Sequence, residues 1–337
     1  MFNKVFDVDK EICWITWEDH RRSIELAKQL AADYHYVRSK ETFVIRHLIK
    51  AVKTISIIYR YRKGMVVVQN PSRILAALAA LMKLIFRFPL IVDRHTNFRI
   101  GKGFTLNPAI WFVILCSEFS LRVADLTIVT NDFLKDLVER KGGRALVLHD
   151  KIPCMKQPEK ILDLPRGVNI LFVCSYAPDE PYREVVSAAR LLSSDFHIHI
   201  TGNYHKASLG DIGQDLPPNI HLLGYVSNEE YDAYMFNCDV VLVLTTSEWV
   251  VVCGGYEALA VEKPLITSST TALREFYQGY ACHTEPSAQA IANAILDVGE
   301  NLQGYQKSIC ELAGIERERW IEQWSFFCRE LKRLAEL

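Results

Sequence analysis

The sequence predicts an α/β protein made of two open parallel-sheet domains that face each other across a cleft and are closed by C-terminal helices. Three observations predict it. Short β-branched runs alternate with helical patterns, as strand-helix-strand units require. The alternation occurs twice, with a stretch of prolines and mixed charge between the two halves. The chain has 337 residues, more than the roughly 250–300 at which a single hydrophobic core stops growing.

In the first half, ICWIT (12–16), YHYV (34–37), MVVVQ (65–69), PLIVD (89–93), LTIVT (126–130) and ALVLH (145–149) read as strands. Each ends in a polar residue or a turn. EDHRRSIELAKQLAAD is one of the helices between them and begins at about residue 20. The most apolar long stretch, ILAALAALMKLIFRFPLIV (74–92), contains Lys83, Arg87 and Pro89, which are costly at bilayer depth. It reads as a buried helix running into a strand. DKIPCMKQPEKILDLPRG (150–167) carries three prolines and reads as an interdomain connection. The second half restarts with NILFVCS (169–175), then FHIHITG (196–202), NIHLLG (219–224), DVVLVLT (239–245) and PLITS (264–268). From about 286 a helical periodicity returns, anchored by Trp320, Trp324, Phe326 and Phe327. The expected domains are 1–152 and 165–315, with a closing helix over 316–337.

Hydrophobic residues make up 50% of the chain and charged residues 23%, which suffices to fill real cores. A net charge of -1 gives no overall basic field for nucleic acid, although the charge is unevenly spread. The nine cysteines include no CxxC pair and no Cys/His cluster at zinc spacing, and the N-terminus lacks the pattern of a signal peptide. The expectation is a reduced, cytoplasmic protein with no metal and no cofactor.

Open parallel sheets bind ligands at the carboxyl ends of their strands, where the crossover direction reverses and helix N-termini present N–H groups. No G-x-G-x-x-G and no G-x-x-x-x-G-K-[ST] occurs, so a phosphate must be held in another way. After DVVLVLTTSE the chain reaches CGG. Missing side chains at Gly254 and Gly255 would let backbone N–H groups approach a diphosphate at the start of a helix YEALAVE. Glu257 is then expected in that helix's first turn. A carboxylate there either accepts vicinal ribose hydroxyls or caps the helix, and the stretch alone leaves both readings open.

SEWVVVCGGYEALAVEKPLITSSTTALREF resembles the donor-site region of the large retaining GT-B glycosyltransferase family (glycosyltransferase group 1), in which a glutamate, several residues, a second glutamate and ALA-x-x-KP bind a nucleotide sugar. The resemblance continues through ILFVCSYAPDEP, IHITGNYHK and NIHLLGYVSNEEYDAYMFNCDVVLVLT. It extends more loosely through VDRHTNF and ADLTIVTND, and so covers most of the chain. It implies a GT-B architecture of two Rossmann-like domains, the first for the acceptor and the second for the donor. By it Glu257 binds the ribose and Glu248 holds hydroxyls of the transferred sugar, with Gly224 and Tyr225 near the nucleotide. The sequence departs from the family in two places. Eight residues separate Glu248 from Glu257 where the family has seven. The segment SYAPDEPYREVV is acidic where the family carries an Arg and a Lys for the diphosphate. Arg183 and Lys206 are the nearest substitutes, or else solvated surface charges, and backbone amides would then carry more of the phosphate clamp.

VDRHTNF (92–98) ends a predicted strand with Asp93, His95, Thr96 and Asn97 where a cleft should open. The resemblance supports a functional His95, orienting the sugar or shielding oxocarbenium-like charge. On its residues alone, it reads as a hydrogen-bonded structural histidine. Glu18, Asp19 and His20 follow the first strand toward the same cleft and are candidates for the acceptor site, though Asp19 also suits a helix cap. RSKETFVIRHLIKAVKTISIIYRYRKG (38–64) interleaves basic with apolar residues, as a crossover helix with a solvated basic face or as a segment lying on an anionic lipid surface. The resemblance thus implies transfer of a hexose-type sugar from a nucleoside diphosphate sugar to a glycan or lipid-linked hydroxyl, with retention. No metal is required where no Asp-x-Asp stands in a donor loop and helix amides can neutralise the leaving diphosphate. A sugar-nucleotide epimerase and a non-catalytic binding protein of the same fold are the alternatives.

Overall fold

A computed structural model describes residues 11–70, 72–94, 107–159, 161–206 and 216–336, except the side chains of Phe43 and Lys206. His95, Thr96 and Asn97 lie outside the described residues. Among the described residues the chain forms two compact units, 1–150 with 320–337, and 151–319.

Branched side chains suit a pleated surface covered on both faces, so the Val/Ile runs form central strands. In the first unit β1 (Ile12–Thr16), β3 (Met65–Gln69), β4 (Leu90–Asp93) and β5 (Leu126–Val129) are buried at every position. With β2 (Asp33–Tyr36) and β6 (Ala145–Val147) at the edges they make a parallel sheet in the order β2-β1-β3-β4-β5-β6. Parallel neighbours need helical crossovers, here α1 (Arg21–Gln29), α2 (Phe43–Arg60), α3 (Arg73–Phe86), α4 (Pro108–Val123) and α5 (Asp132–Arg140). Several start on side-chain caps: Ser72 accepts from Leu75 N, Asn107 from Ala109 N and Asn131 from Leu134 N. Val66, Val68, Leu90 and Val92 pack with Ile58, Leu75, Ala76 and Ala79 of α2 and α3. Trp14, Val67 and Ile91 pack on the other face with Leu26 and Ala27 of α1 and with Trp320, Phe327 and Leu331.

The second unit repeats the plan with β7 (Val168–Phe172), β8 (Phe196–Thr201), β9 (Ile220–Gly224), β10 (Val240–Val243), β11 (Leu265–Ser268) and β12 (Cys282–Thr284). Their order is β12-β11-β10-β7-β8-β9, parallel throughout. The helices are α6 (Tyr182–Ala189), α7 (Asn228–Asn237), α8 (Cys253–Val261), α9 (Thr271–Tyr277), α10 (Ala288–Glu300) and α11 (Leu302–Ala335). The early part of α11 packs in the second unit through Ile309, Leu312 and Ala313, and its last turns complete the first.

Three expectations need correction. β12 was not expected, because Cys-His-Thr offers too short and too polar a run to read as a strand. The helix at 74–92 is not wholly buried, since Leu81, Leu84 and Ile85 face solvent. Phe326 is also exposed, whereas Trp320 and Phe327 are core residues.

Candidate functional site

In the second sheet the winding direction reverses between β7 and β10, which is where an open parallel sheet binds a ligand. The loops after these strands are tied together. Asp179 Oδ2 accepts from Thr245 Oγ1 at 2.7 Å and from Ser247 Oγ at 3.0 Å, and its carbonyl accepts from Thr246 N at 2.7 Å. Glu180 accepts from Ser175 N at 2.9 Å and Ala177 N at 2.8 Å. The acidic residues found where the family has cations therefore hold the loop together, and one carboxylate already fills the amide cradle after β7. Tyr176, between those amides, is buried with φ of 59°, a conformation that costs a non-glycine residue on the order of 1–3 kcal/mol. Gly202 closes the same region, since a β-carbon there would stand 2.3 Å from Cys174 O.

α8 begins at Cys253, four residues before Glu257, with Val252 as an N-cap that makes no side-chain cap bond. Glu257 is thus the fifth residue of the helix: it lies beyond the first turn and does not cap α8. Its Oε2 accepts from Tyr231 Oη of α7 at 2.5 Å. Burial, then the Glu257 charge and this bond, raise the Tyr231 pKa well above the usual tyrosine value, so the phenol stays a donor. Sequence reasoning missed Tyr231, because 26 positions separate the partners and only the packing of α7 beside α8 joins them.

Gly254 and Gly255 are buried inside the start of α8, and the protein's own packing accounts for both. A β-carbon on Gly254 would meet Val173 and Val243 side chains at 3.1 Å, and one on Gly255 would stand 1.9 Å from the Tyr277 hydroxyl. Room for a diphosphate is therefore not needed to explain them. Glu248 is exposed in the loop after β10, and its Oε1 accepts from Thr271 N at 2.8 Å and from the Thr271 hydroxyl. It supplies the first turn of α9 with the partner that the N-cap Thr270 does not. Gly224 ends β9 with φ of 71°. Tyr225 follows it, 90% exposed. Arg183 is an exposed residue of α6 over the Tyr182 ring, and Lys206 ends the short 3-10 turn Tyr204–Lys206.

In the first sheet the reversal lies between β1 and β3. Asp93, at the end of β4, is fully buried and accepts from Arg22 Nε at 3.0 Å, while Arg22 Nη1 donates to Asp150 at 2.5 Å. Burial works against the Arg22 charge, but the two carboxylates outweigh it and raise its pKa. Asp93 is thereby an ion-pair partner that fixes α1 to the carboxyl edge of the sheet. His20 is the N-cap of α1 without a side-chain cap bond, so Asp19 does not cap it. Asp19 instead pairs at the surface with Arg38 at 3.6 Å. Glu18 N donates to Thr16 Oγ1 at 3.1 Å, and Thr16 also donates to Gln69. Next to Gln69, Asn70 is fully buried, and neither of its side-chain amide atoms has a hydrogen-bond partner among the described residues. No sequence pattern marked Asn70.

Residues 167–301 match the family described as Glycosyl transferases group 1. No curated protein matches the chain in sequence. The crystal structure of Anabaena HepE in complex with UDP and glucose is similar with a TM-score of 0.73 at 14% identity, over 96% of this chain and 99% of that one. Sucrose-phosphate synthase from Thermosynechococcus elongatus gives 0.70 at 14%, over 97% and 98%. A glycosyltransferase from Rickettsia africae gives 0.60 at 12%, over 94% and 99%. At such identities the likeness establishes the fold, which is GT-B: two Rossmann-like parallel-sheet domains with closing C-terminal helices.

Proposed function

We propose that this chain is a glycosyltransferase that moves a hexose from a nucleoside diphosphate sugar to a hydroxyl of a glycan or lipid-linked saccharide, with retention, working in the cytoplasm with peripheral membrane contact. The observation that carries the reading is the match of 167–301 to Glycosyl transferases group 1, a span that contains Glu257 and the loops at the second sheet's reversal point. UDP-glucose is the donor to try first, because HepE was crystallised with it.

In this reading Glu257, held by Tyr231, accepts the ribose hydroxyls through charge-assisted hydrogen bonds. The diphosphate lies at the start of α8, where helix amides meet negative charge, with Arg183 and Lys206 as the candidate cations. The amides of Ser175 and Ala177 are not part of that clamp unless Glu180 moves away. Tyr225 offers an aromatic face to the base beside Gly224. Glu248 can reach the sugar only through the oxygen not engaged by Thr271. In the first domain His95 is the residue assigned to the developing positive charge and Glu18, Asp19 and His20 to the acceptor, while Asp93 acts by holding Arg22. Departure of the diphosphate is eased by preorganised amides and basic groups, without a divalent cation.

Glu180 in the amide cradle, together with the missing Arg/Lys pair, favours a second reading as a nucleotide-sugar binding protein without transfer. A thermal-shift series with UDP, GDP, ADP and dTDP sugars, followed by product analysis with and without acceptor, separates these cases. Donor stabilisation with a transferred sugar supports the enzyme, and stabilisation with no turnover supports the binding protein. A changed sugar without acceptor indicates an epimerase, and no stabilisation by any of them removes the donor site.

A further inference from the structure

Water-soluble domains turn the apolar stripe of a surface helix toward the core. α2 does not follow this rule. Val44, Leu48, Val52, Ile55 and Tyr59 recur at intervals of four, four, three and four residues, so they form one stripe, and each of them is exposed. The buried face of α2 is a different one, formed around Thr54 and Ile58. α3, which packs beside α2, repeats the pattern with exposed Leu81, Leu84 and Ile85. α4, packed beside α3, adds Trp111, Phe112 and Leu115. Twelve of the eighteen exposed large hydrophobic residues among those described lie on these three neighbouring helices. Scattered exposed hydrophobics need no explanation, but their concentration on three adjacent helices does.

The charge around that surface identifies what covers it. Between Glu41 and Glu118 the sequence carries twelve Lys or Arg and a single acidic residue, Asp93, a net of +11 in a chain whose total is -1. Of these twelve, Arg94 is buried and Arg99 and Lys102 lie outside the described residues. Lys53 and Arg60 are exposed on α2 beside the apolar stripe, and among the described residues neither pairs with a carboxylate. Where α2 and α3 end, Arg62, Lys63, Lys83 and Arg87 line a pocket of about 360 Å³ with Asp125. Asp125 is taken by Lys83 at 2.5 Å, which leaves three cations facing the pocket. Arg62 also lies over the Tyr59 ring at 4.2 Å, an aromatic-cation pair suited to a lipid-water boundary.

We propose that the α2–α3–α4 face is a docking surface for an anionic membrane, with the apolar stripes entering the acyl boundary and the Arg62, Lys63 and Arg87 pocket receiving a lipid phosphate. No helix among the described residues is long and apolar enough to cross a bilayer, so the mode is to lie on the surface. Docking deepens the proposed function by making the acceptor lipid-linked, but it is read from a different part of the chain and does not depend on transfer.

The test is flotation of the full chain with phosphatidylcholine vesicles, with and without 30 mol% phosphatidylglycerol (roughly the anionic share that gives a leaflet its surface potential). The wild type should float with anionic vesicles, release as salt is raised, and bind neutral ones at least tenfold more weakly. L48S/V52S/L84S/I85S should lose flotation on both. K63E/R87E should lose the preference for anionic vesicles. Circular dichroism and UDP-glucose thermal shift, read from the second unit, should match the wild type in both variants, so a missing donor response counts against the transferase reading and not against docking. Absence of wild-type flotation at low salt, or unchanged flotation of the serine variant, overturns the proposal. So does an oligomer that the serine substitutions convert to a monomer, since the face would then be an interface between copies.

Discussion

Replacing Gly255 with alanine tests whether the glycine serves packing or phosphate access. Its β-carbon would stand 1.9 Å from Tyr277 Oη and 2.9 Å from Cζ. Tyr277 is fully buried on α9, so its ring has no solvent into which to turn. Helix propensity alone would make the substitution stabilising by roughly 0.5–1 kcal/mol. Overpacking a close-packed core typically costs about 1–3 kcal/mol, and a 1.9 Å approach belongs at the upper end. The net expectation is a loss of about 2–2.5 kcal/mol, or roughly 4–10 °C in Tm for a domain of this size. Differential scanning calorimetry reads the stability, and titration with UDP-glucose reads the site on the same sample. Adding Tyr277→Phe removes the nearest atom and should recover about half of the loss, which a double-mutant cycle expresses as coupling. A Tm for Gly255→Ala that is unchanged or raised would refute the packing account. Full stability with lost donor affinity would return the glycine to the phosphates.

Glu257→Ala should lower nucleotide affinity by on the order of 1.5–3 kcal/mol and Tyr231→Phe by less, since the first removes charge-assisted contacts and the second only their support. Unchanged affinity with a lower Tm would limit Glu257 to its bond with Tyr231. His95→Ala should reduce turnover at saturating donor by on the order of a hundredfold while leaving nucleotide binding intact, and an unchanged rate would pass the role to Glu18, Asp19 or His20. Glu248→Ala should cost about 1 kcal/mol through the lost first-turn partner of α9; a slower enzyme with an unchanged Tm would place Glu248 on the sugar instead. Burial, then His221 and His197, hold His199 at about 4, so the native ring is neutral. The unfolded chain takes up that proton near pH 6.5, so the His199 contribution is complete above 6.5 and is lost as pH falls from there to 4, on the order of 3 kcal/mol in all. His199→Gln should flatten the fall of Tm over that window, and an equally steep fall would clear His199.

Strands were legible where burial on both faces demands β-branched runs: Met65–Gln69 is β3 as expected, and ICWIT is β1. Cys282–Thr284 was not, because an edge strand of three residues takes its shape from pairing with β11 and not from its own composition. The start of α8 was misjudged by three residues because glycines in a first turn read as loop, whereas here Val173, Val243 and Tyr277 demand them. Contacts between distant positions left no local trace. The Arg22 bond to Asp93 and the Tyr231 bond to Glu257 exist only after sheets and helices have assembled. The acidic run at 179–180 was visible as a departure from the family, but its work of tying two loops was not.

The last turns of α11 belong to a core whose other parts all lie before residue 151. Trp320, Phe327, Leu331 and Leu334 cover Trp14, Val67 and Ile91, and the entire second unit lies between them in the chain. During synthesis the first sheet therefore emerges with one face covered only in part, by α1, and must remain so until the second unit has been made, in contrast to the usual order in which an N-terminal domain completes itself first. Each large apolar side chain that closes that face adds about 1.5–3 kcal/mol when buried. A ribosome-bound chain stopped before Trp320 would carry a finished second unit behind an open first one, a natural client for a chaperone.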